Sequence, residues 1–104
     1  METQATDIAT LNDRFRGMCL DVHYTSGVRD GIMDLVGLSQ AVENFNSFNE
    51  DNDPYGEHDF GTLRFESQKI FWKIDYYDQE LKYWCDPLDT ACRRVLTMML
   101  AEEY

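Results

Sequence analysis

Two neighbouring segments between Gly61 and Tyr77 alternate apolar and polar residues, and this pattern limits the fold more than any other feature of the chain. Such alternation is typical of a strand with one face in the core. The segments are Gly61–Glu66 and Lys69–Tyr77. The second turns four large side chains to one face: Ile70, Trp72, Ile74 and Tyr76. We therefore predict an antiparallel hairpin, with a turn of two or more residues because Ser67-Gln68 is not the favoured Asn-Gly type.

The remaining periodicity predicts one more strand and three helices. Leu20–Thr25 alternates in the same way and would complete a three-stranded sheet. The helices are predicted at Thr6–Gly17, at Leu38–Phe48 after an irregular turn over Asp30–Val36, and from the cap Asp86-Pro87 to Leu100. The chain of 104 residues fits a single domain, 1–104. The predicted fold is α+β, with three helices packed on a small, three-stranded, mainly antiparallel sheet.

The predicted core joins the apolar faces of these elements. Its members are Leu11, Phe15, Val22, Val42, Phe45, Phe65, Ile70, Trp72, Ile74, Val95, Leu96 and Met99. The aromatic pair Tyr83-Trp84 lies between the last strand and the last helix, where a solvated loop is expected. These two residues either cover the edge of the core or form a contact patch for a partner.

Acidic residues outnumber basic ones by 20 to 9, which gives the chain a formal net charge of −11. A surface with this charge repels nucleic acid and anionic membranes and attracts basic grooves on other proteins. The charge is concentrated, since the segment from Asp30 to Leu63 contains no lysine or arginine. Its eight carboxylates are Asp30, Asp34, Glu43, Glu50, Asp51, Asp53, Glu57 and Asp59. We predict that these carboxylates, together with Tyr83 and Trp84, contact a partner.

The loop Asn52–Gly61 reads Asn-Asp-Pro-Tyr-Gly-Glu-His-Asp-Phe-Gly and is rich in turn-forming residues. Proline suits the second position of a β-turn and glycine the fourth, so Asp53–Gly56 is predicted to form one turn. Aspartate and asparagine accept backbone N–H bonds in turns, and a histidine can join a loop to a strand. We therefore predict a rigid clasp between a helix and the hairpin. The residues with this structural role are Asn52, Pro54, Tyr55, Gly56, His58, Phe60 and Gly61.

The loop resembles an uncharacterised bacterial family, a domain of unknown function that is found in proteobacterial genomes and often on mobile elements. The opening Leu11–Arg16, the strand Ile70–Asp78 and the end Arg94–Tyr104, with its Leu-Ala-Glu-Glu-Tyr, are similar to the same family. Cys19–Gln40 departs from the family pattern. The resemblance covers most of the chain and implies no activity.

Cysteine use and hydropathy bear on the compartment. The three cysteines are Cys19, Cys85 and Cys92, and their odd number without repeated spacing favours a reducing compartment over a disulfide framework. No apolar run approaches the roughly 20 residues of a membrane span, and no secretory signal opens the sequence. We expect a protein of the host-cell cytoplasm that binds neither membrane nor nucleic acid directly.

The residue types in the loop suggest two kinds of chemistry, acid–base catalysis and metal binding. Glu57 and Asp59 flank His58, and a carboxylate beside an imidazole suits general-base catalysis, although no serine, threonine or cysteine nucleophile is adjacent. Asp51 and Asp53 match the first two ligands of a calcium loop, but the twelfth position is Thr62 where a bidentate glutamate is required. We expect no catalytic residue, no cofactor and no metal.

The functional hypothesis follows from the charge and the resemblance. A rigid surface of carboxylates can occupy a groove that binds nucleic-acid phosphates. We expect a small acidic inhibitor, a DNA mimic of the anti-CRISPR kind, that binds a basic nucleic-acid-binding protein or complex of a host defence system. The alternatives are a small hydrolase or metal-dependent enzyme centred on His58, and a toxin–antitoxin or plasmid-maintenance partner anchored by Tyr83 and Trp84. Whether the chain forms a homodimer stays open.

Overall fold

A mixed sheet forms the middle of the computed structural model, which describes residues 2–18 and 21–104. In these residues the sheet has four strands in the order β1-β4-β3-β2. The strands are β1 Val22–Tyr24, β2 Phe60–Phe65, β3 Gln68–Tyr77 and β4 Arg93–Leu100. β3 is antiparallel to both β2 and β4, whereas β1 runs parallel to β4. The α+β class is confirmed. The sheet has four strands where three were predicted, and it is mixed, because one of its three pairings is parallel.

The predicted hairpin is confirmed as β2 and β3. Glu66 and Ser67 form its two-residue turn, with φ angles of 51° and 65°. Positive φ at both turn positions gives the right-handed twist that neighbouring antiparallel strands need. Gln68 already belongs to β3, so the connection is one residue earlier than the Ser67-Gln68 pair suggests.

Three α-helices are present among the described residues, as expected in number, and two of them overlap the helices predicted at Thr6–Gly17 and Leu38–Phe48. They are α1 Glu2–Met18, α2 Ser26–Gly31 and α3 Leu35–Glu43, and a 3₁₀ turn follows at Ala101–Glu103. Thr25 caps α2 by accepting from Val28 N, and Asp34 caps α3 by accepting from Gly37 N. The predicted break over Asp30–Val36 is therefore confined to residues 32–34. α3 also ends before Phe48, because Asn44 leaves the helical conformation as its C-cap.

The predicted helix from Asp86-Pro87 to Leu100 is wrong, since this segment is a loop followed by β4. β4 lies between β1 and β3 and is buried on both faces, so its residues are apolar on both faces. Val95, Leu96, Met98 and Met99 are all buried, and such a continuous apolar run matches helical spacing equally well. Asp86 does not cap a helix; its Oδ1 accepts from Leu88 N in a local turn.

The core lies between one face of the sheet and the helices. Its fully buried apolar side chains are Val28, Leu38, Val42, Ile70, Trp72, Leu96 and Met98. Eight of the predicted core residues are buried: Val42, Phe45, Ile70, Trp72, Ile74, Val95, Leu96 and Met99. Leu11, Phe15, Val22 and Phe65 are only half-buried at its rim. Cys19 and Leu20, which the sequence places in or beside β1, lie outside the described residues.

Candidate functional site

The loop between α3 and β2 is closed by short hydrogen bonds within itself. Asn49 Oδ1 accepts from the backbone N of Asp51 at 2.8 Å and of Asn52 at 3.1 Å. In return, Asn52 Oδ1 accepts from Asn49 N at 3.1 Å, and Asp53 N donates to Asn49 O at 2.8 Å. Because each amide side chain replaces a backbone partner, the loop keeps one shape without a helix or strand.

Asp53 holds the second half of the loop from inside. Its Oδ1 accepts from the backbone N of Glu57 at 3.0 Å and of His58 at 3.1 Å, and the residue is only 9% exposed. Gly56 N donates to Asp53 O at 3.1 Å, which confirms the predicted turn, and Gly56 has the φ of 69° that favours glycine. Asp53 was predicted to contact a partner, but the fold places its carboxylate inside the loop.

His58 ties the loop to α1. Its Nδ1 lies 2.9 Å from Asp13 Oδ1, and its Nε2 lies 3.6 Å from Asp53 Oδ2. The imidazole also stacks on the Phe48 ring, with centroids 3.8 Å apart and planes within 4°. The carboxylates that orient His58 are therefore Asp13 and Asp53, and not its sequence neighbours Glu57 and Asp59.

Asn12 joins the loop to the sheet and is completely buried. Its Nδ2 donates to Glu57 O and to Tyr76 Oη, both at 2.9 Å. Its Oδ1 accepts from Arg94 Nε at 2.7 Å, and Arg94 Nη2 donates to Pro87 O at 2.7 Å. One side chain of α1 thus connects the loop, β3, β4 and the segment before β4.

Arg16 completes the attachment of α1. The side chain is 4% exposed, and its Nη2 donates to Phe45 O at 2.9 Å, just beyond the end of α3. Its guanidinium lies 5.3 Å from the centroid of the Phe48 ring and 5.0 Å from that of Trp72. Arg16 Nη1 is 3.1 Å from Asp13 Oδ1, so the Asp13 carboxylate forms an ion pair with Arg16 as well as its contact with His58. Together these contacts hold the loop between α1 and the sheet, so α1 is the helix of the clasp.

Sequence reasoning missed the α1 members of this clasp, Asn12, Asp13 and Arg16. One signal could have found Asn12: it lies four residues after Ile8, on the apolar face of α1. A polar residue at such a position needs buried partners. Asp13 and Arg16 carry no comparable signal, because the sequence does not distinguish them from solvated charged residues near the end of a helix.

The eight predicted carboxylates do not form one surface. Asp30 and Asp34 lie near the hairpin turn, where Glu66 accepts from Asp34 N, while the loop acids lie at the opposite end of β2. A six-residue strand separates these ends by roughly 17 Å. Glu50 and Asp51 are exposed in the loop. Glu43, Glu57 and Asp59 are half-buried.

The aromatic residues of the two candidate regions are exposed. Tyr83 is 71% exposed and Trp84 is 70% exposed, so the interpretation that they cover the core is wrong. Their backbone is nevertheless fixed to the end of β3, because Asp78 N donates to Tyr83 O and Trp84 pairs with Tyr77. In the loop, Pro54 is exposed as well, and Tyr55 is 80% exposed. These rings are available for contact with a partner.

A family model described as a protein of unknown function, DUF3768, matches residues 24–103. The chain belongs to the DUF3768 family. The matched range contains the whole loop Asn52–Gly61 and all four strands except the first two residues of β1, whereas α1 lies before it. The stretch Leu11–Arg16, which resembles a family opening, is therefore outside the match. A search of curated proteins and a search of solved structures give no match.

His58 and the acidic residues of the DUF3768 loop are the groups that a catalytic or a metal centre would use. His58 bonds carboxylates, and among the described residues no serine, threonine or cysteine forms a hydrogen bond with it. Within residues 2–18 and 21–104, no group of three or more histidines, cysteines and carboxylates is arranged to hold a metal ion. No helix in the same part of the chain is long and apolar enough to cross a membrane.

Two loop carboxyls of the DUF3768 protein have raised pKa values. Burial is the main cause for Asp59, with a smaller contribution from Asp53 and Asp75, while the hydrogen bond from Tyr76 opposes the rise in pKa. Burial also raises the pKa of Glu57, assisted by the neighbouring charges of Asp59 and Asp53. The ionised forms of both carboxyls are therefore disfavoured in the fold, and a nearby cation would relieve that cost.

The raised pKa of Asp59 predicts a specific dependence of stability on pH. Between the unfolded and folded pKa values the native state binds more protons, so the free energy of unfolding should fall as pH rises through this window. The Asp59→Asn variant lacks this titration. We expect the wild type to gain stability relative to Asp59→Asn as the pH is lowered from neutral towards the ordinary pKa of an aspartate, measured by urea unfolding. A constant difference between the two proteins across that range would contradict the prediction.

Proposed function

We propose that this DUF3768 protein is a small acidic inhibitor that binds a basic, nucleic-acid-binding host complex and presents carboxylates in place of phosphates. The observation that carries the proposal is the exposure of Glu50 and Asp51 on a loop whose backbone is fixed by Asn49, Asn52 and Asp53. Charges on a fixed backbone can bind without first paying the entropy of ordering a flexible loop.

The net charge supports the same partner class. With a formal charge of −11, the protein is attracted at long range to a cationic groove and repelled from nucleic acid itself. Duplex DNA presents about one charge per 1.7 Å, and a groove built to bind it holds lysines and arginines at similar density. The loop acids provide such charges without a reactive group, which suits an inhibitor better than an enzyme.

The anti-defence character of the proposal has a separate basis. It rests on the resemblance of the loop and of the chain's end to a bacterial family that often occurs on mobile elements. Mobile elements gain from blocking nucleases and surveillance complexes that bind nucleic acid. The host complex would therefore belong to a defence system of the CRISPR kind, and the protein would act in the host-cell cytoplasm.

Capture from host lysate, followed by competition with duplex DNA, tests the proposal. The captured complex should bind DNA, and DNA should displace it from the DUF3768 protein. Replacing Glu50→Lys and Asp51→Lys together should weaken binding at least about tenfold near 100 mM salt, and raising the salt should weaken wild-type binding. The reversal excludes Asp53, because its carboxylate holds the loop together.

The matched control reverses two exposed acids away from the loop, Asp7→Lys and Glu80→Lys, and so changes the net charge by the same amount. It should weaken binding much less than the loop reversal. Equal losses would mean that net charge, and not the loop, attracts the partner. A partner that binds independently of salt, of DNA and of the loop reversal would exclude mimicry.

The enzyme alternative is separated by His58→Asn. Asparagine tolerates the φ of 57° at this position, and the bonds from the backbone N of Glu57 and His58 to Asp53 do not use the imidazole. The loop should therefore keep its backbone turn, although the contacts of the imidazole with Asp13 and Phe48 are lost. The inhibitor proposal expects partner binding to change little. An enzyme centred on His58 would instead lose activity in a folded variant.

A second candidate function is favoured by the exposure of Tyr83 and Trp84. Large aromatic side chains on a fixed backbone are frequent anchors of protein interfaces. A toxin–antitoxin or plasmid-maintenance partner would use this pair as its contact. In that case Trp84→Ala should abolish capture of the partner, while the loop reversal leaves capture intact.

A further inference from the structure

A cavity of about 410 Å³ opens between the loop, β3 and the end of the chain. The residues that matter for its chemistry are Asp51, Tyr55, Asp59, Lys73, Asp75 and Tyr104. The volume lies in the range of small-molecule and side-chain binding sites. Two regions that resemble a known family, the loop and the final Leu-Ala-Glu-Glu-Tyr, meet at this cavity.

Aromatic rings stand at the edge of the cavity. Tyr55 is 80% exposed and Tyr104 is 74% exposed. The Tyr104 ring is held in place by packing against Phe60 and Phe71, with centroids 5.6 Å and 5.2 Å away. These rings offer open π-faces beside carboxylates, which is the arrangement that attracts organic cations.

The cavity already holds one cation of the chain itself. Lys73 Nζ lies 2.8 Å from Asp75 Oδ2, and this hydrogen bond is the main reason that the pKa of Lys73 is raised. On the same face of the sheet, Lys69 Nζ lies 5.6 Å from the Phe71 ring centroid. Ammonium groups thus bind to both the carboxylates and the aromatic rings of this surface.

Two carboxylates in the cavity are left without an internal cation. Lys73 neutralises Asp75, but neither Asp51 nor Asp59 forms an ion pair within residues 2–18 and 21–104. Asp51 is exposed, and Asp59 Oδ2 accepts a long hydrogen bond of 3.4 Å from Tyr76 Oη. These two carboxylates and the tyrosine rings are therefore available to bind a cation from another molecule.

We propose that this cavity binds the guanidinium group of an arginine side chain on a basic protein partner. A guanidinium is planar, so it can stack on Tyr55 or Tyr104 while its N–H groups donate to Asp51 and Asp59. An ammonium has no flat face and would use only the charge. The partner class rests on the proposed function, whereas recognition of arginine rests on the cavity alone.

The test uses Nα-acetylarginine amide as the probe and NMR chemical shifts of the whole protein as the readout. We expect saturable shifts at Tyr55, Phe60 and Tyr104 with a dissociation constant of about 1 mM, ordinary for a single side chain. Nα-acetylcitrulline amide has nearly the same shape without the charge and should not bind. Nα-acetyllysine amide should bind at least about threefold more weakly than the arginine probe.

Two variants locate the site, and a third is the control. Tyr55→Ala and Asp51→Asn should each raise the dissociation constant at least about fivefold without unfolding the protein, because both side chains are exposed. Tyr83→Ala removes an equally exposed tyrosine outside the cavity and should change nothing. Equal binding of citrulline or lysine, or shifts spread over all acidic residues without saturation, would overturn the assignment.

This experiment is independent of the partner. If the arginine probe binds but no DNA-displaced complex is captured, the proposed function fails and the cavity assignment stands. If the complex is captured but the probe does not bind, the reverse holds.

Discussion

Asn12→Ala should destabilise the protein by about 4 kcal/mol, which is a large part of the stability of a domain this size. The side chain is completely buried and makes three hydrogen bonds, to Glu57 O, Tyr76 Oη and Arg94 Nε, of which the bond to Tyr76 is buried and the other two are part-buried. Its removal leaves these groups without that partner in the interior, and each unsatisfied buried group costs about 1–3 kcal/mol. Urea unfolding followed by circular dichroism measures the loss.

The loss should be local as well as global. Without Asn12 the loop is no longer held against β3, so the backbone N–H groups of Glu57 and His58 should exchange with solvent faster. Those two groups donate to Asp53, and their protection reports the shape of the loop. If the variant is too unstable to purify, Tyr76→Phe removes one of the three bonds and should lower stability by about 1 kcal/mol.

Asn44→Ala is the matched control. Asn44 Nδ2 donates to Gln40 O at 2.9 Å on the exposed end of α3, so the same substitution removes a hydrogen bond that water can replace. Its cost should stay below about 1 kcal/mol, and loop exchange should not change. If Asn12→Ala cost no more than Asn44→Ala, the hydrogen bonds of Asn12 would not hold the loop in its shape.

Local patterns in the sequence were sufficient for the elements that keep one face in the core. The hairpin, the buried stripe of Leu38 and Val42 in α3 with Phe45 just beyond its end, and the turn at Asp53–Gly56 follow from period, propensity and turn chemistry. β4 did not follow. Its parallel partner β1 is distant in sequence, and burial on both faces removes the alternation that marks a strand.

The candidate site was also predicted only in its local part. The loop was recognised as a clasp because turn residues report local hydrogen bonds, but its anchors on α1 form contacts between residues about 45 positions apart. The sequence gives the number of acidic residues but not their positions in the fold. The sequence shows eight acids in one stretch, yet Asp53 is used inside the loop, and Asp75 and Tyr104, from other elements, line its cavity.

Gly61→Ala should destabilise the protein by about 3 kcal/mol, because the interior has no room for the added methyl group. A Cβ at Gly61 would lie 2.5 Å from Trp72 Nε1, 2.7 Å from Trp72 Cε2 and 2.8 Å from Phe45 Cε1. Gly61 and Trp72 are direct partners across β2 and β3, and a glycine in a strand often marks such a close approach.

Neither ring can move aside at low cost. Trp72 is completely buried, with the Phe45 ring in edge contact at 5.4 Å and the Arg16 guanidinium 5.0 Å from its centroid. The strain must therefore shift the start of β2, which is where the loop joins the sheet. We expect a lower urea midpoint together with a changed near-ultraviolet circular dichroism signal from Trp72.

Gly17→Ala tests whether the effect at Gly61 is steric. A Cβ at Gly17 meets no atom within 4 Å, and Gly17 lies in the last turn of α1, so alanine should raise stability by about 0.5–1 kcal/mol through helix propensity. The same chemical change would then have opposite signs at the two positions. If Gly61→Ala also stabilised the protein, Trp72 would have space to rotate, and the loop would be joined to the sheet less tightly than these contacts require.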